Sequence, residues 1–176
     1  MELERRTLGE VRTAGRVLHG VAVPFGKSAD IAGLFSESFA PGSFSATLAR
    51  RDDVAALADH QPEMLLGRLR SGTLRLSETA SGLQYEVDLP QTSLGSDIQE
   101  LARRGDLSGV SVGFVVDAQS WPDAKTRRIE AATLHEVSIL RGSRAAYGDA
   151  TTIALRSRAA AHGDVLRLRR ALVLVI

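Results

Sequence analysis

Cysteine is absent from the 176 residues, which excludes disulfides, thiolate metal sites and a cysteine nucleophile. Asparagine is missing too, and lysine is scarce, with two residues against twenty arginines. That bias reads as a GC-rich genome and carries little about function. No apolar run approaches the ~20 residues of a membrane helix, so no membrane partner is expected. The opening stretch MELERRTLGEVR alternates charges and lacks an apolar core, which predicts no cleaved export signal. What is present is ordinary for a soluble globular chain: 44% apolar and 24% charged residues, enough for one domain with a real core.

The net charge of +1 hides an asymmetry. Residues 1–155 carry 17 basic and 20 acidic side chains, while residues 156–176 carry five arginines against Asp164 alone. A body without basic excess has nothing to hold a polyphosphate, so nucleic-acid binding by the core is not expected. The shift marks residues 1–155 as the domain and 156–176 as an Arg/Ala-rich tail. The tail ends in the apolar ALVLVI, which needs covering by the body, a second subunit or a partner.

Periodicity in the body is mostly that of strands. Strands are predicted over 17–23, 54–59, 65–69, 72–76 and 83–89, with short Gly-containing links that favour antiparallel pairing. Pro62 is expected to stop the second of these soon after its end. Pro41-Gly42 signals a turn, and Ser43 is the expected N-cap of a short helix through Leu48. A second helix is read from Leu94, Ile98 and Leu101, with Thr92 or Ser93 at its start and Gly105 at its end. Two further strands, 110–116 and 129–140, flank a polar loop expected around Trp121-Pro122-Asp123. The segment 156–170 reads as a possible helix.

Four histidines are candidates for chemistry: His19, His60, His135 and His162. His60 stands out because it ends a short apolar strand and precedes a turn, where a rigid element delivers a side chain to an accessible loop. Gly109-Val110-Ser111-Val112-Gly113 matches the G-x-S-x-G elbow of α/β-hydrolase esterases. That elbow requires a helix directly after the serine, whereas VGFVVDA continues a strand. On a strand, Ser111 and Gly113 share one face and Val110, Val112, Phe114 and Val116 the other. A serine needs a positioned base, and the base needs a partner on its second nitrogen. His60, Ser111 and Glu136 would make such a set. His135 and Glu136 point to opposite faces of a strand, so either could take the third role.

These segments carry a resemblance. Gly20-Val21-Ala22-Val23-Pro24-Phe25-Gly26, Phe39-Ala40-Pro41-Gly42-Ser43-Phe44, Asp59-His60 with Leu66-Gly67, Gly105 through Phe114, and Leu134-His135-Glu136-Val137-Ser138 are similar to the prohead proteases of tailed bacteriophages, the HK97-type capsid maturation serine peptidases. The resemblance covers roughly residues 15 to 150, in the family's order. It implies a mainly β (α+β) fold of the herpesvirus assembly protease type: a closed, mostly antiparallel β-barrel with peripheral helices. It places the family's histidine on His60, its serine on Ser111 and its acidic residue on Glu136. His135 keeps an alternative third member, as the herpesvirus enzymes use a second histidine. Where family members often have a Pro-Ala turn, this chain has Arg141-Gly142-Ser143-Arg144-Ala145, so the oxyanion contacts near it stay unassigned.

The expected function is therefore a serine endopeptidase that works inside the assembling prohead, in the bacterial host cytoplasm, with no cofactor and no metal. The resemblance implies that its substrates are the scaffold or the scaffold-like extension of the major capsid protein. It also implies a homodimer or higher self-association. Two competing expectations are a catalytically silent scaffold or assembly factor with the same fold, and an α/β-hydrolase esterase.

Overall fold

Period-two alternation decides most of this chain, and the computed structural model, which describes residues 2–141, bears that out. In order come β1 (Glu4–Gly9), β2 (Arg12–Ala14), β3 (Val17–Pro24), β4 (Ala29–Ile31), β5 (Phe35–Phe39), α1 (Ser45–Arg50), β6 (Ala55–Ala58) and β7 (Gln61–Arg68). Then follow β8 (Leu74–Thr79), β9 (Gly82–Asp88), α2 (Ser93–Arg104), β10 (Gly109–Asp123) and β11 (Thr126–Leu140). The tail, the boundary at 155/156, His162 and Gly142–Ala145 lie outside the described residues.

The strands form two open sheets. The seven-stranded sheet runs β1-β10-β11-β5-β4, with β6 also on β11 and β7 on β6; the four-stranded sheet runs β2-β3-β9-β8. β5 and β6 lie end to end along one edge of β11, at 126–129 and 136–139, and both are parallel to it. The other pairings are antiparallel. The expected closed barrel is therefore not formed. Among the described residues β1, β4 and β7 each pair on one side only, as do β2 and β8, so neither sheet returns to its own first strand. Between the sheets a backbone bond from Glu10 N–H to Val21 O (3.3 Å) bridges the gap without continuing a ladder.

The core lies between the sheets. Val112, Phe114, Leu134 and Val137 of the larger sheet belong to one buried cluster with Leu18, Leu83, Tyr85 and Val87 of the smaller. Phe114 meets Phe39 edge-on at 5.2 Å between ring centres, and Phe39 stacks on Phe44 at 5.6 Å. Such contacts add to the burial that drives assembly of the sheets. As expected, α2 starts at Thr92, whose hydroxyl accepts from Gly95 N–H at 3.2 Å, and ends at Gly105 in the left-handed conformation. Its Ile98 is fully buried.

Local expectations failed where a distant residue took over. Ser43 does not cap α1; the cap position is Phe44, and its N–H donates to Glu78 Oε1 (2.9 Å) on β8, which also receives the Ser45 hydroxyl. A carboxylate from another strand thus does what a local side chain would do. Pro62 does not stop a strand but is the second residue of β7, because its missing N–H costs little near a strand start. The expected loop at Trp121 is strand, since β10 and β11 continue to a tight turn at 124–125, and Trp121 packs edge-on against Phe35 at 5.2 Å.

β1 was not expected as a strand, because its sequence ERRTLG is charged. Its Glu4 and Arg6 are buried with Glu37 of β5 and Arg127 of β11, none more than 3% exposed. Arg6 donates to Glu37 (2.6 Å) and Glu4 (2.7 Å), and Arg127 donates to both carboxylates at 2.8 Å. Two cations and two anions satisfy each other through these bonds, the condition under which burial of charge is tolerated.

Candidate active site

Ser111 stands near the start of β10, opposite Thr7 on β1 and Ser138 on β11. Two residues on, Gly113 stands opposite Arg5 and Glu136. Directly paired residues of antiparallel strands face the same way. Arg5, Thr7, Ser111, Gly113, Glu136 and Ser138 therefore line one face of the sheet. Val112 and Val137 face the core. The strand continues past Ser111 to Asp123 with no helix after it, which removes the esterase elbow.

A bulge separates the two candidates, His135 and Glu136, in space. Glu136 pairs with Gly113 but Leu134 pairs with Phe114, so His135 is the extra residue on β11. His135 is exposed, while Glu136 is buried on the Ser111 face.

His60 arrives from the other side of β11. Ala58 pairs with Gln61, leaving Asp59 and His60 as a two-residue hairpin loop, both with positive φ (49° and 60°). That geometry matches the twist of a hairpin but is uncommon for residues with a side chain. Four hydrogen bonds hold it. Asp59 N–H donates to Ile139 O (3.0 Å), the Asp59 carboxylate accepts from Arg141 N–H (2.8 Å) and Nε (2.7 Å), and His60 N–H donates to Ser138 Oγ (2.7 Å). β6 and the end of β11 thus clamp the loop over the face that carries Ser111.

The imidazole lies against Glu136, with Nδ1 at 2.5 Å from Oε1 and the ring side chain 11% exposed. Arg5 Nε donates to the same oxygen at 3.1 Å. Burial, the largest single influence on the Glu136 carboxyl, pushes it up; the hydrogen bonds and charges of His60 and Arg5 outweigh it and hold the group below the usual carboxylate range. With Glu136 ionised, Nδ1 carries the donated hydrogen, so the neutral ring presents Nε2 as an acceptor.

Ser111 is fully buried, and no hydrogen bond joins it to His60. Ser111 Oγ and His60 Nε2 are both buried atoms without a partner among the described residues, as is Thr7 Oγ1. Of the residues named from sequence, His60 and Glu136 are in direct contact. Ser111 shares their face, across the strand pair from the serine that anchors His60. His19 lies on β3, in the other sheet. Sequence reasoning did not find Arg5, Thr7 or Ser138 as parts of the site. Their places depend on pairing with β10 and β11, for which no local signal exists.

Among the described residues, no helix is long and apolar enough to cross a membrane. No curated protein matches the chain. The structure of the bacteriophage T4 capsid assembly protease, gp21, matches with a TM-score of 0.57 at 8% identity, over 81% of this chain and all of the other. At that identity the match speaks for the fold. A family model for the caudovirus prohead serine proteases matches residues 1–164, nearly the whole chain. The protein belongs to the caudovirus prohead serine protease family.

Proposed function

We propose that this prohead protease is an endopeptidase with a Ser111–His60–Glu136 triad. Ser111 Oγ attacks the peptide carbonyl as His60 Nε2 takes its proton; His60 then returns the proton to the leaving amine, and water repeats the cycle on the acyl-enzyme. Glu136 fixes the Nδ1–H tautomer and stabilises the imidazolium, and backbone N–H groups bind the oxyanion. The observation that carries this reading is the Glu136–His60 contact, which commits Nδ1 and leaves Nε2 as the ring's acceptor above the face holding Ser111.

The substrates in this reading are the scaffold, or the scaffold-like extension of the major capsid protein, inside the assembling prohead of the host cell. Confinement in a shell raises enzyme and substrate concentration together, so modest intrinsic affinity suffices. The active species is a homodimer or larger assembly, and light scattering showing a fully active monomer at high concentration would contradict that. The tail at 156–176 links the enzyme to the shell and is released near Arg156–Ala161. Mass spectrometry finding Ile176 intact in both wild type and Ser111→Ala would instead make the tail structural.

The test of the activity is incubation of wild type and Ser111→Ala with the neighbouring capsid protein. Cleavage in wild type alone supports the triad. A catalytically silent assembly factor is the competing reading, favoured by the complete burial of Ser111. Capsid protein left intact by wild type, under conditions where it assembles, would support that reading.

A further inference from the structure

Glu136 receives two donors on one oxygen, and only one of them is the histidine. Arg5 Nε meets Oε1 at 3.1 Å from β1, the strand on the far side of the nucleophile strand. Register places Arg5 opposite Gly113, and the Glu136 side chain lies over that glycine, within reach of both. Arg5 is half-exposed, so its guanidinium is not needed to fill the core. The neighbouring Arg6 points to the opposite face and into the buried ion cluster, so the strand is anchored without Arg5.

We infer that Arg5 is a positioning residue for the reaction: it holds the Glu136 carboxylate over Gly113 and shares its charge with His60. The inference rests on the triad reading. A carboxylate bound by His60 alone can rotate about its terminal torsion, and the second donor limits it to the orientation that aligns the ring. The shared charge also has an electrostatic consequence. A cation bonded to the Glu136 carboxylate makes its protonation harder, so removal of the cation makes protonation easier.

The charged groups facing Glu136 are Arg5 from β1 and His60 from the β6–β7 turn. Asp59 and Arg141 pair with each other at the hairpin tip, Glu37 is committed to the buried cluster, Arg50 of α1 pairs with Asp52, and His135 is exposed. Loss of Arg5 therefore leaves no second cation in its place among the described residues.

The experiment follows capsid-protein cleavage by the full chain across a range of pH, for wild type, Arg5→Gln, Arg5→Lys, Glu136→Gln and Ser111→Ala. Arg5→Gln is expected to lose about tenfold in kcat/KM, the equivalent of one charge-assisted hydrogen bond. Its acid limb is expected to move to higher pH, because Glu136 loses one of the two donors that hold its carboxyl down. Arg5→Lys keeps the charge and is expected to retain the wild-type limb with part of the rate. A wild-type rate and limb in Arg5→Gln overturns the inference. So does failure of Arg5→Gln to fold by circular dichroism, since Arg5 then acts on the fold. Undiminished cleavage by Ser111→Ala or Glu136→Gln overturns the triad itself, and is distinct from both.

Discussion

The Glu136 side chain occupies the space that a side chain at Gly113 would fill. A Cβ at position 113 would come within 2.6 Å of Glu136 Cγ and 2.9 Å of its Cδ and Oε1. The glycine two residues after Ser111 is therefore what allows a carboxylate from the neighbouring strand to lie across β10 and meet His60. Gly113→Ala is expected to keep the fold, since the displaced group is the flexible end of a side chain, and to lose activity by about a hundredfold or more, approaching the loss in Glu136→Gln. Circular dichroism beside the cleavage assay checks both halves. Wild-type activity in the alanine variant would count against Glu136 as the third member.

Glu136→Gln is expected to cut kcat/KM by up to ~10⁴-fold, the loss seen for the comparable change in a well-studied triad. The amide neither enforces the tautomer nor stabilises the imidazolium. His135→Ala, at an exposed bulge, is expected to remain within about twofold of wild type. Parallel kinetics on the two variants decide between them, and the reverse order would transfer the role to His135.

The same carboxylate carries a pH dependence of stability. Its pKa is lowered on folding, so its contacts stabilise the protein above the ordinary carboxylate range and that contribution is lost as pH falls through the depressed value. Urea unfolding of wild type and Glu136→Gln at a series of pH values should give a difference that is largest near neutrality and shrinks on acidification. A difference that grows toward acid would show that the ion pair is not what binds Glu136.

The buried cluster makes a stability prediction separate from the site. Arg6→Met leaves Glu4 and Glu37 facing Arg127 alone, an excess negative charge in a buried place. The expected cost is about 3–5 kcal/mol, measurable by urea denaturation. A cost below about 1 kcal/mol would mean that water enters the cluster once the arginine is gone.

Glu78→Ala removes the carboxylate that caps α1 from β8. The expected loss is ~1 kcal/mol, seen as a lower melting temperature. Ser43→Ala, by contrast, removes a hydroxyl that takes no part in the cap and is expected to leave the melting temperature close to wild type.

Alternation within a strand and the capping of α2 are local, and both were legible in the sequence. VLHGVAV, LQYEVDL and the helix from Thr92 to Gly105 could be read because each residue's face follows from its neighbours. For the same reason Ser111 and Gly113 could be placed on one face, opposite Val110 and Val112. The charges of β1 could not be read as strand, because their burial depends on Glu37 and Arg127, which only folding brings beside them. The cap of α1, the open edges of the two sheets and the continuation of β10 through Trp121 depended likewise on partners far along the chain. Which of Glu136 and His135 lies beside His60 depends on the bulge in β11, a register shift that no one-strand pattern encodes. Residue chemistry named the serine, the histidine and two candidates beside it. Strand register, set by packing between distant segments, decided which of the two faces the histidine and added Arg5 to it.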